Sequence, residues 1–165
     1  MKILVLSDSH SAMSFMRLCV DAVKPDYLIH LGDHYDDGEA LAETYGHIPM
    51  TQVPGNCDRY RCPPWVHARL CYDVCGVRLF MTHGHKYGVK TSTAMMLAEA
   101  RAMGAQAALY GHTHIAECIR EESGMWVLNP GTAGYGGGSA GLIEVENNNI
   151  LSCRIITSDN LEEFV

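Results

Sequence analysis

Short apolar runs alternate with amphipathic stretches over the first third of the chain, and the alternation predicts strand–helix–strand units. Residues 2–7 are aliphatic up to Asp8 and read as a buried strand. Residues 12–24 repeat Met13, Met16, Val20 and Val23 at helical spacing, and Pro25 stops that helix. Tyr27 to Leu31 is a second apolar run. Residues 37–45 suit a helix with Gly46 as its C-terminal cap, and Ile48 to Val53 is a third strand. Elements of these lengths in this order form a parallel sheet with right-handed crossovers.

The pattern changes after residue 66. Residues 67–75 and 77–82 flank Gly76 like a hairpin. Residues 91–103 predict a helix that faces the core with Ala94, Leu97, Ala98 and Met103 and ends at Gly104. Ala107 to Tyr110 is a further strand. The stretches 115–121, 125–128, 140–146 and 150–157 alternate in polarity and are separated by turn residues, so they read as antiparallel strands. No linker or repeat interrupts the chain, which is expected to be one α/β domain over residues 1–165.

Composition adds limits. A chain of 165 residues buries about two thirds of the surface its unfolded form exposes. A formal charge of −7 disfavours nucleic acid as a partner, because phosphate neutralisation needs clustered Lys and Arg. Neither a signal-peptide core nor a membrane span is visible, so the expectation is a soluble cytoplasmic protein. Seven cysteines, an odd number, fit reduced thiols, and Cys71 and Cys75 lack a second pair that would complete a zinc site.

The chemistry sits where predicted strands end. Asp8-Ser9-His10, Gly32-Asp33, Gly55-Asn56-Cys57-Asp58, His83-Gly84-His85 and Gly111-His112-Thr113-His114 each follow one. In an open parallel sheet the carboxyl ends of the strands gather on one edge, where ligands bind. Asp8 and His10 are two apart, as are His112 and His114, so each pair projects to one side of an extended segment. Two carboxylates, one amide and four imidazoles, with no thiolate, form the donor inventory of a two-cation site. Mixed oxygen and nitrogen donors suit Mn²⁺, Fe²⁺, Co²⁺, Ni²⁺ or Zn²⁺ better than Ca²⁺ or Mg²⁺. Two dications, two aspartates and one hydroxide leave a single positive charge, which favours a phosphoryl group. Each residue also has a plainer reading. Asp8 would serve as a helix cap, and His30, His47 and His67 are read as ordinary surface or core histidines.

The ordered set D-x-H, GD, GN-x-D, GH and GHTH, followed by Asn129-Pro130-Gly131-Thr132, resembles the calcineurin-like metallophosphoesterases, most closely the small YfcE-type phosphodiesterases. The resemblance implies a four-layer αββα sandwich of two mixed sheets flanked by helices. It implies one cation on Asp8, His10, Asp33 and His114, and another on Asp33, Asn56, His83 and His112, with Asp33 bridging. Asp33, Asn56 and His83 would be the catalytic residues, Mn²⁺ the favoured metal, and a hydroxide shared by the metals the nucleophile. The substrate would be a small-molecule phosphate ester, a diester before a monoester.

Many relatives carry His after the Asn of the GN motif, where this chain has Cys57, as YfcE-type members do. A thiol is a poor proton donor to a leaving group. His85 and His34 are candidate replacements, or partners that orient a ligand or touch the phosphate, and Asp58 is expected to orient its own turn. Tyr35, Tyr60, Trp65, Tyr87 and Tyr135 either line a substrate cleft or pack at loop bases, with Lys86 and Arg59 as phosphate contacts. The alternative to an enzyme is a non-catalytic scaffold of the retromer-subunit kind. Self-association as a homo-oligomer is compatible with either.

Overall fold

Ten strands and three α-helices follow the predicted order in a computed structural model, which describes residues 1–164. They are β1 (Lys2–Leu6), α1 (Met13–Val23), β2 (Tyr27–His30), α2 (Tyr35–Thr44), β3 (Met50–Gln52), β4 (Arg69–Val74) and β5 (Val77–Thr82). There follow α3 (Ala94–Ala102), β6 (Ala107–Leu109), β7 (Ala116–Arg120), β8 (Trp126–Pro130), β9 (Ser139–Glu146) and β10 (Asn149–Thr157). One sheet has the order β10-β9-β1-β2-β3 and the other β4-β5-β6-β8-β7. Strands β1, β2 and β3 are parallel, as are β5, β6 and β8.

Alternation along β1 explains the layers. Ile3 and Val5 point between the sheets, where they meet Ile29, Leu79, Met81, Leu109 and Leu128. Leu4 and Leu6 point the other way, onto Met16 and Val20 of α1 and Leu41 of α2. On the far side, Phe80 and Val127 pack against Met96, Leu97 and Ala100 of α3. Both faces of both central strands are therefore apolar, and the result is the four-layer αββα sandwich with two mixed sheets.

Three local expectations are corrected. The core face of α3 is Met96, Leu97 and Ala100, whereas Ala94 and Ala98 are exposed. The α2 helix ends with the Tyr45 N–H on the Leu41 carbonyl, and Gly46 is not left-handed. A turn closed by the Ile48 N–H on the Tyr45 carbonyl carries the chain towards β3 without needing that conformation. Finally, 125–128 is not purely antiparallel, because β8 pairs in parallel with β6 and antiparallel with β7. Among the described residues, no helix is long and apolar enough to cross a membrane.

Candidate metal centre

Parallel registry brings the ends of β1, β2 and β3 to one edge of the first sheet, and the ends of β5 and β6 to the same edge of the second. The loops that follow them bend sharply at the donors themselves. Asp8, His10, Asp33, His112 and His114 all have left-handed φ, between +44° and +70°. Such backbone costs about 1 kcal/mol or more per non-glycine residue, and its concentration at these positions marks a site whose surroundings hold it. Two glycines make the approach possible. A Cβ on Gly55 would lie 2.1 Å from Asp33 Oδ1, and one on Gly111 would lie 2.1 Å from Ser7 Oγ.

Seven donors meet there in two groups. Asp8, His10, Asp33 and His114 each offer an atom within 4.8 Å of the others, and so do Asp33, His83 and His112. Asn56 joins the second group, with Oδ1 3.2 Å from His83 Nε2. Asp33 belongs to both groups.

The arrangement leaves lone pairs facing one another. His83 Nδ1–H donates to the Leu31 carbonyl at 2.8 Å, which makes Nε2 an acceptor in the neutral ring. That nitrogen faces two oxygens, Asn56 Oδ1 and, at 3.5 Å, Asp33 Oδ2. Asp8 Oδ2 is satisfied by Ser7 Oγ–H at 2.5 Å and the His112 N–H at 3.1 Å. Its other oxygen, Oδ1, is buried without a hydrogen bond and lies 3.0 Å from His114 Nε2; His10 Nε2 is likewise buried and unbonded. Acceptors converging on acceptors need a positive centre between them; a proton on His83 Nε2 serves Asp33, but the buried, unbonded Asp8 Oδ1 and His10 Nε2 are left over, and the donor set as a whole fits divalent metal.

Electrostatics agree. Burial would raise the Asp33 pKa, but His83 and the Cys57 N–H outweigh it and hold the carboxyl well below the usual carboxylate range. Burial would lower that of His83, yet the carboxylates of Asp33 and Asp8 keep it above its ordinary value. Burial, followed by the charge of His83, pushes His112 down to about 4; burial, followed by His34, pushes His10 down. Neutral imidazoles with free lone pairs are therefore the ordinary state of His10 and His112 at neutral pH.

Buried polar residues hold the donor loops in place. Asp58 accepts four backbone N–H bonds, from Asp33 and Gly55 on Oδ2 and from His34 and Tyr35 on Oδ1, at 2.7–2.9 Å. It thereby ties the loop after β2 to the loop after β3. Asp37 Oδ2 accepts from Ser9 Oγ and the Ser11 N–H, Asn129 Nδ2 donates to the Gly111 carbonyl, and Thr132 Oγ1 donates to the Asp8 carbonyl. Sequence reasoning passed over Asp37, Asn129 and Thr132 as positioning residues. A helical acid and a turn motif carry no mark of burial.

The remaining candidates separate. His85 lies beside the second group, its ring 5.4 Å from that of His83, and its Nδ1 is buried without a hydrogen bond. His34 lies 5.0 Å from the His10 ring. Cys57 gives its N–H to Asp33 Oδ1, and burial, then the Asp33 charge, raises its thiol pKa. Tyr135 stacks on His114 at 5.7 Å, whereas Tyr35 is buried and Tyr87 donates to Glu99. Asp8 is no helix cap, since α1 starts after Ala12 with no side-chain cap. A third group, His34, Asp36 and Asp37, also lies within 4.8 Å, but Asp36 is taken by Arg61 and Asp37 by Ser9 and Ser11.

His30 is fully buried and linked to the centre. The Gly32 N–H donates to its Nδ1, so Nε2–H donates to Ser9 Oγ, whose hydroxyl donates to Asp37. Burial lowers its pKa from 6.5 to about 4. Between those values the unfolded chain binds the proton and the folded one does not, so stability rises with pH through that window and falls on acidification. The full effect is about 3 kcal/mol. Urea unfolding at pH 7 and pH 5 in chelator should show a larger acid loss for wild type than for His30→Gln. Equal losses would remove His30 as the cause.

The calcineurin-like phosphoesterase superfamily domain matches residues 1–148. The probable metallophosphoesterase YsnB of Bacillus subtilis (strain 168) is 29% identical over 136 residues, covering 80% of this chain and 75% of that protein. An archaeal phosphodiesterase structure aligns with TM-score 0.74 and 20% identity, over 95% of this chain and 99% of that one. Zinc-complexed wild-type Vps29 from Entamoeba histolytica aligns with TM-score 0.69 and 16% identity, over 95% and 99%. At these identities the two structures speak to the fold alone.

Proposed function

This chain belongs to the calcineurin-like phosphoesterase superfamily, and from that premise we propose that it hydrolyses phosphodiester bonds of small molecules. It is a metal-dependent phosphoesterase, and its two Asp/His groups form a dinuclear hydrolase site. The observation that carries the hydrolase reading is the convergence of His83 Nε2, Asn56 Oδ1 and both aspartates on shared space, with Asp33 common to both groups.

Asp8, His10, Asp33 and His114 would hold one cation, and Asp33, Asn56, His83 and His112 the other. Divalent cations bound there supply Lewis-acid charge for phosphoryl oxygens and acidify water at neutral pH. The chain's own part is to place that charge. The Leu31 carbonyl fixes the His83 tautomer, and Asp58 fixes the separation of the Asp33 and Asn56 loops. Asn56 and His114 are exposed, so the substrate reaches the centre from the solvent side. A thiol held protonated at Cys57 is a weak acid towards the departing oxygen, which supports leaving groups that depart unprotonated.

Mn²⁺ is the metal proposed, with Zn²⁺, Fe²⁺, Co²⁺ and Ni²⁺ as the other candidates for this donor chemistry. The ordered motifs with Cys57 support a YfcE-type enzyme, and a match reaching from residue 1 to 148 supports a single catalytic domain over 1–165. The −7 charge supports a small substrate over a polymer, and seven free thiols support a cytoplasmic setting.

The purified protein should hydrolyse bis(4-nitrophenyl) phosphate with added Mn²⁺, stop with chelator and recover when metal is restored. Cys57 and the likeness to Vps29 favour a second reading, a scaffold without turnover. Two bound ions with no hydrolysis across a panel of diesters and monoesters would establish it instead.

A further inference from the structure

The geometry points to an anion-reading subsite beside the metal centre, and so to a substrate class: small diesters whose aromatic body carries a further phosphate. A 5′-phosphorylated dinucleotide is the simplest member. The inference rests on the phosphodiesterase reading above and specifies its substrate.

A cleft of ≈ 480 Å³ opens off the centre, with Asn56 and His85 in its wall. Both residues sit beside His83, so a group esterified to a phosphoryl at the centre leads straight into it. That volume lies in the range of small-molecule sites, and inorganic phosphate or a short alcohol would leave most of it empty. Its apolar wall is Val66 and Ala68.

Arg59 and Lys86 add the charge. Five other arginines pair with carboxylates: Arg61, Arg69, Arg78, Arg101 and Arg154. Among the described residues neither Arg59 nor Lys86 has a carboxylate within 4.0 Å. Asp58 is the one acid in the lining, and its oxygens are occupied by the four backbone N–H groups. In a chain of net charge −7, Arg59 and Lys86 are two cationic side chains of this cleft with no carboxylate of their own to neutralise them. On the same loop, Tyr60 is 90% and Trp65 77% exposed. The Arg59 guanidinium lies over the Tyr60 ring at 5.5 Å, so Trp65, next in the chain to the lining residue Val66, is the aromatic face left for stacking on a base. Phosphate for Arg59 and Lys86, base for Trp65 and the apolar wall, and scissile diester at the centre together describe one ligand.

The reaction is hydrolysis. Water oxygen bonds to phosphorus, the ester P–O bond breaks, and the departing 3′ oxygen ends with a proton from that water. No other reactant is needed.

Three substrates separate the contributions, with Mn²⁺ present: 5′-phospho-ApA, ApA, and bis(4-nitrophenyl) phosphate. Wild type should cleave the internucleotide bond of 5′-phospho-ApA to two AMP, with kcat/KM about tenfold above that for ApA, mostly through KM, and less at high salt. In the Arg59→Ala/Lys86→Ala double variant that ratio should fall to near one. Trp65→Ala should raise KM for both dinucleotides more than for the aryl diester. Equal wild-type rates on the two dinucleotides, or a ratio unchanged in the double variant, would overturn the inference. Cleavage of the aryl diester alone also overturns it and leaves the phosphodiesterase reading standing. Failure on all three substrates defeats that reading itself.

Discussion

Asp33→Ala lowers turnover of the aryl diester by about 10³-fold, equivalent to about 4 kcal/mol of transition-state stabilisation. Bound metal falls from two ions to at most one. The size of the effect comes from position, since Asp33 alone belongs to both donor groups. Its loss removes a ligand from each cation at once. Folding should survive. Without metal, Asp33 accepts the Cys57 N–H and lies 3.5 Å from His83 Nε2, so its removal should lower the thermal midpoint of the metal-free protein while leaving a single cooperative unfolding transition. Asp33→Asn should fall between, because it keeps an oxygen for the Cys57 N–H but loses the charge. Turnover and metal content of dialysed protein check the result. A rate within a few-fold of wild type would refute the shared-ligand role.

Asp58→Ala should cost about 3–5 kcal/mol of stability, the second large effect. Four buried or half-buried N–H groups, those of Asp33, His34, Tyr35 and Gly55, would lose a charged acceptor together. Asp58→Asn retains one acceptor oxygen and should recover part of the loss. Denaturant midpoints with an unchanged slope measure it. A positioning role makes a further demand. Metal affinity of the folded variants should drop as well, since the loops bearing Asp33 and Asn56 are no longer clamped. Normal affinity with lowered stability would leave Asp58 as a structural residue only.

Much of this architecture is legible in the residue pattern, and the exceptions have physical causes. Aliphatic runs ending at Asp8, Gly32 and Gly55 identify strands whose carboxyl ends collect the donors, and parallel registry does the rest. The return of β9 and β10 to the first sheet is not written locally. Leu142 and Ile143 alternate as in any antiparallel strand, and pairing with β1 is chosen by the shared core. The core face of α3 is not legible, because Ala94, Met95, Met96, Leu97 and Ala98 make the helix apolar nearly all round and spacing favours no single side. At the centre, residue types announced the donors and resemblance partitioned them. Strand ends at Asp8, Asp33 and His112 are legible as turns, but their left-handed backbone is not, because none of the three is glycine. The burial of Asp37 and Asn129 depends on loops that meet only in three dimensions.

Crystals of the manganese-loaded protein, measured at the metal absorption edge, test the central claim most directly. Two anomalous peaks should appear, one among Asp8, His10 and His114 and one among Asn56, His83 and His112, with Asp33 touching both. A single peak at saturating Mn²⁺, or a second ion seated on His34, Asp36 and Asp37 instead, would contradict it.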